Sequence, residues 1–112
     1  MGRDGVPPAE GRLVTAPADR VAMENVNRPG RIVRVDADKY HAMREAMLAV
    51  LPDTAPGLTL AEMKQRLLPR LPETSFPGGA KAGWWLMGVQ LDLLAKNVLA
   101  RGDIKPVRLY RR

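Results

Sequence analysis

The side chains best suited to binding chemistry are basic, and they concentrate toward the end of the chain. The sequence has 112 residues, with 18 Lys and Arg against 12 Asp and Glu, which gives a net charge of +6. Residues 96–112 hold six of these basic side chains and a single acid, Asp103. A cationic segment attracts polyanions from a distance, and salt weakens that attraction. The pattern therefore predicts contacts with nucleic-acid phosphates, while a solvated terminus that keeps the protein soluble would show the same pattern.

The predicted nucleic-acid-binding residues come from two stretches, one near each end of the predicted domain. Those in the C-terminal stretch are Arg101, Lys105, Arg108, Arg111 and Arg112. Those before the first predicted helix are Arg31 and Arg34, with Arg28 as a further contributor. Basic side chains grip phosphates whatever the bases are, so this set names no target sequence.

The residues that catalysis or metal binding would need are mostly missing. The chain has no cysteine, which excludes disulfides, thiolate metal sites and cysteine nucleophiles. His41, the only histidine, falls off the predicted buried side of its helix, and we interpret Asp38 and Glu45 nearby as members of surface ion pairs. We therefore expect a non-enzymatic protein with no catalytic residue, no cofactor and no metal.

Membrane insertion and secretion are not expected. No apolar run approaches the roughly 18 residues that a membrane span needs. The first residues also lack the apolar segment of a secretory signal. The expected location is the cytoplasm.

A glycine-rich stretch, FPGGAKAG, precedes the longest predicted helix. Amides in such a place can meet a phosphate, but G-x-x-x-x-G-K-[ST] is absent, and the G-x-G-x-x-G fingerprint would also need a preceding strand. We interpret Gly78, Gly79 and Gly83 as residues that bend the chain and let the helix approach its neighbours closely. Lys81 can meet an anion there as a point charge.

Composition divides the chain into an arm and a domain. Residues 1–30 have no sustained apolar period, which predicts a flexible arm, and residues 31–112 are the predicted domain. At the start of that domain, RIVRV is typical of a short extended segment.

Capping residues and prolines predict three helices, over residues 37–51, 60–68 and 80–96. Asp36 caps the first helix, and Thr59 with Glu62 forms a capping box at the second. Asn97 ends the third helix because it tolerates the left-handed conformation. The segments VLAR and PVRLYRR then flank GDIK, which predicts a two-stranded hairpin with a basic face.

The third predicted helix is apolar around nearly its whole circumference. Steps of 100° per residue place Trp84, Met87, Leu91, Leu94 and Val98 on one side, which we predict to face the core. The opposite side carries Trp85, Leu86, Val89 and Leu93, which are poor partners for base edges in a DNA groove. We expect the hairpin, the arm or a second copy of the chain to cover that side, and the last of these predicts a homodimer with those four residues at the protein interface.

The order of these elements resembles the winged helix-turn-helix arrangement. Residues 58–111 carry the resemblance, with a short threonine-capped helix, a third helix that ends in LDLLAKNVLARG, and a basic hairpin or wing. Residues 25–112 also resemble a small bacterial family of uncharacterised proteins through VDADKYHAMREAMLAVLP, GLTLAEMK and FPGGAKAGWW. The resemblance implies a mainly helical α+β fold of winged-helix type, and it implies no activity and no site residues.

Two functions of different classes follow from these observations. The first is a nucleic-acid binder that grips phosphates with the basic wing. The second is a protein-interaction or dimerisation module that uses the apolar side of the third helix without binding nucleic acid. Winged helices serve both purposes, so the fold does not choose between them. The two can also coexist, with the apolar side pairing two subunits.

Overall fold

Local capping signals set the start of the first two helices in the computed structural model, which describes residues 20–102 and 105–112. Helix α1, Ala37–Val50, follows Asp36, whose carboxylate accepts a hydrogen bond from the backbone N–H of Lys39 at 3.2 Å. Helix α2, Leu60–Leu67, begins at a complete capping box formed by Thr59 and Glu62. Both caps and both helices are confirmed, because these signals lie within four residues of each other in the sequence.

Helix α3, Ala82–Ala95, is the third predicted helix, and its ends differ from the predicted ones by one or two residues. The chain enters it through a short 3-10 turn, Pro77–Gly79, in which Gly78 and Gly79 have φ angles of 61° and 77°. Only glycine adopts this region without steric cost, so the predicted bending role of these two glycines is confirmed. After the helix, Asn97 has a φ of 62°, the left-handed conformation expected at a helix end.

The chain ends in a three-stranded antiparallel sheet. Its strands are β3, Leu58–Thr59, β4, Leu99–Arg101, and β5, Arg108–Arg111. Strand β5 lies in the middle, pairing with β4 in the predicted hairpin and with β3 on its other edge. The two residues of β3 therefore connect the N-terminal end of α2 to the hairpin.

A second hairpin precedes α1, and it corrects the predicted boundary of the flexible arm. Strand β1, Arg20–Met23, pairs antiparallel with β2, Val33–Asp36, and the intervening residues 24–32 form the hairpin loop. Residues 20–30 therefore belong to the domain. The prediction failed because each strand has four residues, which is too short for a sustained apolar period, and the pairing joins segments ten residues apart. The rest of the predicted arm, residues 1–19, lies outside the described residues.

The two sides of α3 are the reverse of those predicted. Trp85, Leu86, Val89 and Leu93 are 0–7% exposed and pack in the core between α1, α2 and the C-terminal sheet. Of the side predicted to face the core, Trp84 is 58% exposed and Met87 is 46% exposed, although Leu94 is buried. The predicted protein-interface residues are thus core residues of the folded chain. Because apolar side chains surround this helix, their spacing could not decide which side faces inward.

The described residues thus form a small α+β domain of three helices and two small sheets. The core draws on all three helices and on the C-terminal sheet. Its fully buried large side chains include Met43, Met47, Met63, Leu67, Phe76, Val89, Leu93, Leu99 and Leu109. None of the helices in residues 20–102 and 105–112 is both long enough and apolar enough to cross a membrane.

Candidate functional site

Three of the predicted phosphate-binding arginines hold the C-terminal sheet to the rest of the fold. Arg108 donates from Nη1 to the carbonyl oxygen of Gly57 at 3.2 Å and lies 3.3 Å from a carboxylate oxygen of Glu62. Glu62 also accepts a bond from the backbone N–H of Thr59. That bond, helped by the charge of Arg108, holds the pKa of Glu62 below its usual range. The carboxylate therefore stays ionised beside the guanidinium.

The other two arginines of this set bond to backbone carbonyls. Arg111 donates from Nε to the carbonyl oxygen of Leu51 at 2.9 Å, just beyond the end of α1, and Arg112 donates from Nε to that of Leu99 at 3.3 Å. A guanidinium carries five N–H donors, so these bonds fix its position and leave other donors for a ligand. The contacts described for these arginines are with backbone carbonyls of the protein itself, as expected for residues that stabilise the fold.

A side-chain hydrogen bond joins the C-terminal hairpin to the loop between β1 and β2. Arg101 of β4 donates from Nη2 to Oδ1 of Asn27 at 3.0 Å, which joins two segments 74 residues apart. Arg28 and Arg31 are exposed in the same loop, and the backbone N–H of Arg31 bonds to the carbonyl oxygen of Arg28 at 3.1 Å. Lys105 is exposed in the segment that leads into β5. We call Arg28, Arg31, Arg101 and Lys105 the basic surface.

Arg34 is exposed on β2, the strand that leads away from the hairpin loop. It alternates with Val33 and Val35, whose side chains lie on the other face of the hairpin. The structure thus brings the loop that carries Arg28 and Arg31 into contact with β4 of the C-terminal hairpin, although the two segments are far apart in the sequence.

A buried carboxylate fastens this hairpin to the helices. Asp92 of α3 is 0% exposed and lies 2.7 Å from Nζ of Lys96, one turn later. It accepts the backbone N–H of Glu24 at 2.8 Å and the phenolic O–H of Tyr40 from α1. Lys96 also donates to the carbonyl oxygen of Ala22 at 3.3 Å. We call Asp92, Tyr40, Lys96 and the Glu24 amide the buried network; it links α1, α3 and β1.

The protonation of Tyr40 matches its role as a donor in this network. Burial raises the pKa of the Tyr40 phenol well above its ordinary value, and the hydrogen bond to Asp92 and the charge of Asp92 raise it further. The phenol therefore stays neutral over the physiological range and donates to the carboxylate. The amine of Lys96 also lies 5.7 Å from the centre of the Tyr40 ring, within the range of a cation–π contact.

The β1–β2 hairpin and its loop cover the outward side of α3 along the second half of the helix. The backbone N–H of Val26 bonds to the carbonyl oxygen of Leu91 at 3.3 Å. A Cβ atom added at Gly88 would lie 2.7 Å from the terminal methyl of Met23, so glycine lets the hairpin lie close against the helix. This is the side of α3 that was predicted to face the core. The side for which a cover was expected packs instead against α1, α2 and the C-terminal sheet. A groove of duplex DNA has no access to this part of α3.

An open depression of about 480 Å³ lies where α1 and α3 begin. It is lined by Asp36, Lys39, Lys81, Trp84 and Trp85. Lys81, the residue before α3, has a φ of 63° in the left-handed region, and both it and Trp84 are exposed. The glycine-rich stretch therefore brings Lys81 to the rim of a depression. The sequence indicated only that this lysine could contact an anion near a bend in the chain.

His41 lies on the surface of α1 beside an aromatic ring. The imidazole is exposed, and its ring stands edge-on to that of Tyr40 at 5.4 Å between centroids. Across residues 20–102 and 105–112, no three His, Cys, Asp or Glu side chains come together in a group that could hold a metal ion.

Sequence reasoning missed the buried network and the contact between the β1–β2 loop and the C-terminal hairpin. The spacing of Asp92 and Lys96 was a usable signal, because residues four apart on a helix are neighbours. The contacts of Asp92 with Tyr40 and Glu24 join residues 52 and 68 positions apart, so no local pattern indicates them.

Comparison with known proteins places the chain in a family. No curated protein and no solved structure matches it. A family model does match, over residues 20–109. The match begins at the first residue of β1 and ends within β5, so it spans both hairpins and all three helices. Since this is most of the sequence, the chain belongs to that family, a family of unknown function (DUF6958).

Proposed function

We propose that the protein is a non-enzymatic binding module of winged-helix type that contacts nucleic-acid phosphates through its basic surface. The order α1, β3, α2, α3, β4, β5, with β5 in the middle of the C-terminal sheet, supports a winged-helix arrangement in which β4 and β5 form the wing. Fold by itself is an argument by analogy, so the site must carry the function.

The observation that carries the proposal is the hydrogen bond between Arg101 and Asn27. It joins the wing to the hairpin loop, so Arg28, Arg31, Arg101 and Lys105 face solvent from two adjoining segments. Clustered exposed cations bind phosphates chiefly by releasing counterions.

The proposed surface differs from the one that the sequence suggested. Three of the arginines first suggested as phosphate contacts mainly hold the wing in place: Arg108, Arg111 and Arg112. We therefore assign the proposed phosphate contacts to the β1–β2 loop and to the exposed side of the wing. The alternative function, a protein contact through Trp85, Leu86, Val89 and Leu93, is not retained because those side chains fill the core.

Reversing two charges of the basic surface is expected to weaken binding. Arg28→Glu with Lys105→Glu takes one cation from the loop and one from the wing. Binding of a fluorescein-labelled, mixed-sequence DNA oligonucleotide, followed by anisotropy between about 50 and 200 mM salt, should weaken about 10-fold or more at the low-salt end. For the wild type, four phosphate contacts predict a log–log salt slope of about −3 on single strands, and the variant should lose about half of it.

Arg66→Glu with Arg70→Glu is the matched control, since it changes the net charge equally on the exposed side of α2 and the turn after it. The control should stay within about threefold of the wild type, because a distant charge acts only through the screened overall field. A flat salt response of the wild type, or an equal loss in both variants, would refute the basic surface.

A further inference from the structure

The indole of Trp84 is a rigid aromatic platform that faces solvent. It is 58% exposed, although its neighbour Trp85 is buried. The two rings stand edge-on with their centroids 5.2 Å apart, and Trp85 in turn meets Phe76 edge-on at 6.3 Å. Phe76 is a core residue, so the exposed indole contacts a series of edge-on rings that is anchored in the core. Such a ring needs little ordering when a flat ligand packs on it.

The groups around this ring favour an anionic aromatic ligand. Lys39 and Lys81 line the same depression, together with the carboxylate of Asp36. One oxygen of Asp36 already accepts the amide of Lys39 as the cap of α1, and the depression keeps a net positive charge. Its volume of about 480 Å³ lies within the range of small-molecule sites.

A nucleotide combines the two features that the depression offers to bind, a flat base and a negative phosphate. Proteins that bind single strands stack unpaired bases on aromatic side chains and hold the backbone with lysine and arginine. A protein partner fits less well, because lysine is depleted in the buried centre of protein interfaces.

Strand β2 connects this depression to the basic surface. It runs from the hairpin loop, through Arg34, to Asp36 at the edge of the depression. Arg31 and Asp36 are five steps apart along the chain, so the distance between them is at most about 16 Å at roughly 3.3 Å per residue. A flexible single strand can follow this line of cations, whereas the bases of a duplex stay stacked away from the indole.

We propose that the depression around Trp84 receives one unpaired base of a single-stranded nucleic acid, stacked on the indole, while Lys39 and Lys81 contact the neighbouring phosphates. This inference rests on the proposed function and narrows its partner to single strands. It also gives a role to the exposed part of α3. Trp84 and Met87 lie there, and neither is a side chain that reads base edges by hydrogen bonding.

Removing the ring is expected to weaken single-strand binding selectively. Trp84→Ala should lower the affinity for a single-stranded, mixed-sequence DNA oligonucleotide about 10-fold or more, because each base–aromatic stack contributes that much to single-strand binding. The salt slope should stay that of the wild type, since no phosphate contact is lost. Binding to the duplex of the same sequence should change less than about twofold. Trp84→Phe keeps an aromatic face and should stay within about threefold of the wild type.

Met87→Ala is the matched control, because Met87 is the other exposed apolar residue on this part of α3. It should bind single strands as the wild type does. Equal affinities of Trp84→Ala and the wild type, with salt-dependent binding intact, would overturn the stacking site and leave the basic surface standing. Failure of the wild type to bind any oligonucleotide would overturn both. A wild-type dimer that both Trp84→Ala and Met87→Ala convert to monomer in sedimentation, with oligonucleotide binding unchanged, would also overturn the site and assign this face to a second copy.

Discussion

Replacing Asp92 with alanine is expected to lower the free energy of unfolding by about 3 kcal/mol, as measured by urea denaturation followed by circular dichroism. The carboxylate is fully buried, and its removal leaves the amide of Glu24 and the hydroxyl of Tyr40 without their acceptor. Each orphaned buried donor costs about 1–3 kcal/mol. The side chain of Lys96 is 37% exposed and can turn to water, which places the total near the low end for a broken buried ion pair.

Asp36→Ala is the control for Asp92→Ala, because it removes a carboxylate of equal charge from an exposed site. Its cost should be that of a lost helix cap, about 1 kcal/mol. Tyr40→Phe removes one donor and leaves Asp92 its other partners, so it should cost about 1–2 kcal/mol. If Asp92→Ala and Asp36→Ala unfold at the same urea concentration, the buried network does not hold the hairpin to the helices as we describe.

Gly57→Ala is expected to be at least as destabilising, by about 3 kcal/mol or more in the same urea measurement. Gly57 has a φ of 85°, and a Cβ added there would lie 1.9 Å from the carbonyl oxygen of Leu109. That oxygen belongs to the backbone of β5, so it cannot move aside without disturbing the pairing of β3 with β5. Left-handed backbone costs a non-glycine residue about 1–2 kcal/mol, and overpacking adds about 1–3 kcal/mol.

Gly30→Ala separates the two contributions. Gly30 has nearly the same φ, 89°, but no atom within 4 Å of an added Cβ. Its substitution should cost only the backbone contribution of about 1–2 kcal/mol. Equal losses for the two alanine variants would show that the close approach of β5 to Gly57 has no energetic effect.

The parts of the fold that the sequence predicted correctly are those set by neighbouring residues. The capping box of Thr59 and Glu62 marks the start of α2, and Asn97 marks the end of α3. These features depend on hydrogen bonds and backbone angles within one helical turn. A pattern in the sequence therefore contains all the information that they need.

The orientation of α3 was not predictable from its own residues. Trp84 and Trp85 are adjacent and equally apolar, and the structure buries one and exposes the other. The choice depends on what packs against each side. Gly88 leaves room for Met23 on the outward side, and Asp92 bonds to Tyr40 of α1 and to the amide of Glu24 just after β1. None of these contacts has a local signature.

The sequence predicted that the candidate site would be basic, but it did not predict which basic side chains lie together in the fold. The density of arginine and lysine toward the C-terminus indicated a phosphate-binding surface, but not that Arg111 is committed to the carbonyl oxygen of Leu51. Equally, no pattern relates Asn27 to Arg101, 74 positions away. Charge in the sequence therefore suggests which class of partner to propose, and the folded arrangement shows which basic side chains are exposed.

The most direct test of the proposed surface is a titration of the 15N-labelled protein with a single-stranded, mixed-sequence DNA oligonucleotide, followed by amide and indole chemical shifts. We predict that the shifts concentrate on the loop around Gly30, on Arg101 and on the indole N–H of Trp84, while α2 stays unchanged. Shifts confined to α2, or saturable binding that leaves both the hairpin loop and the Trp84 indole unperturbed, would contradict the account.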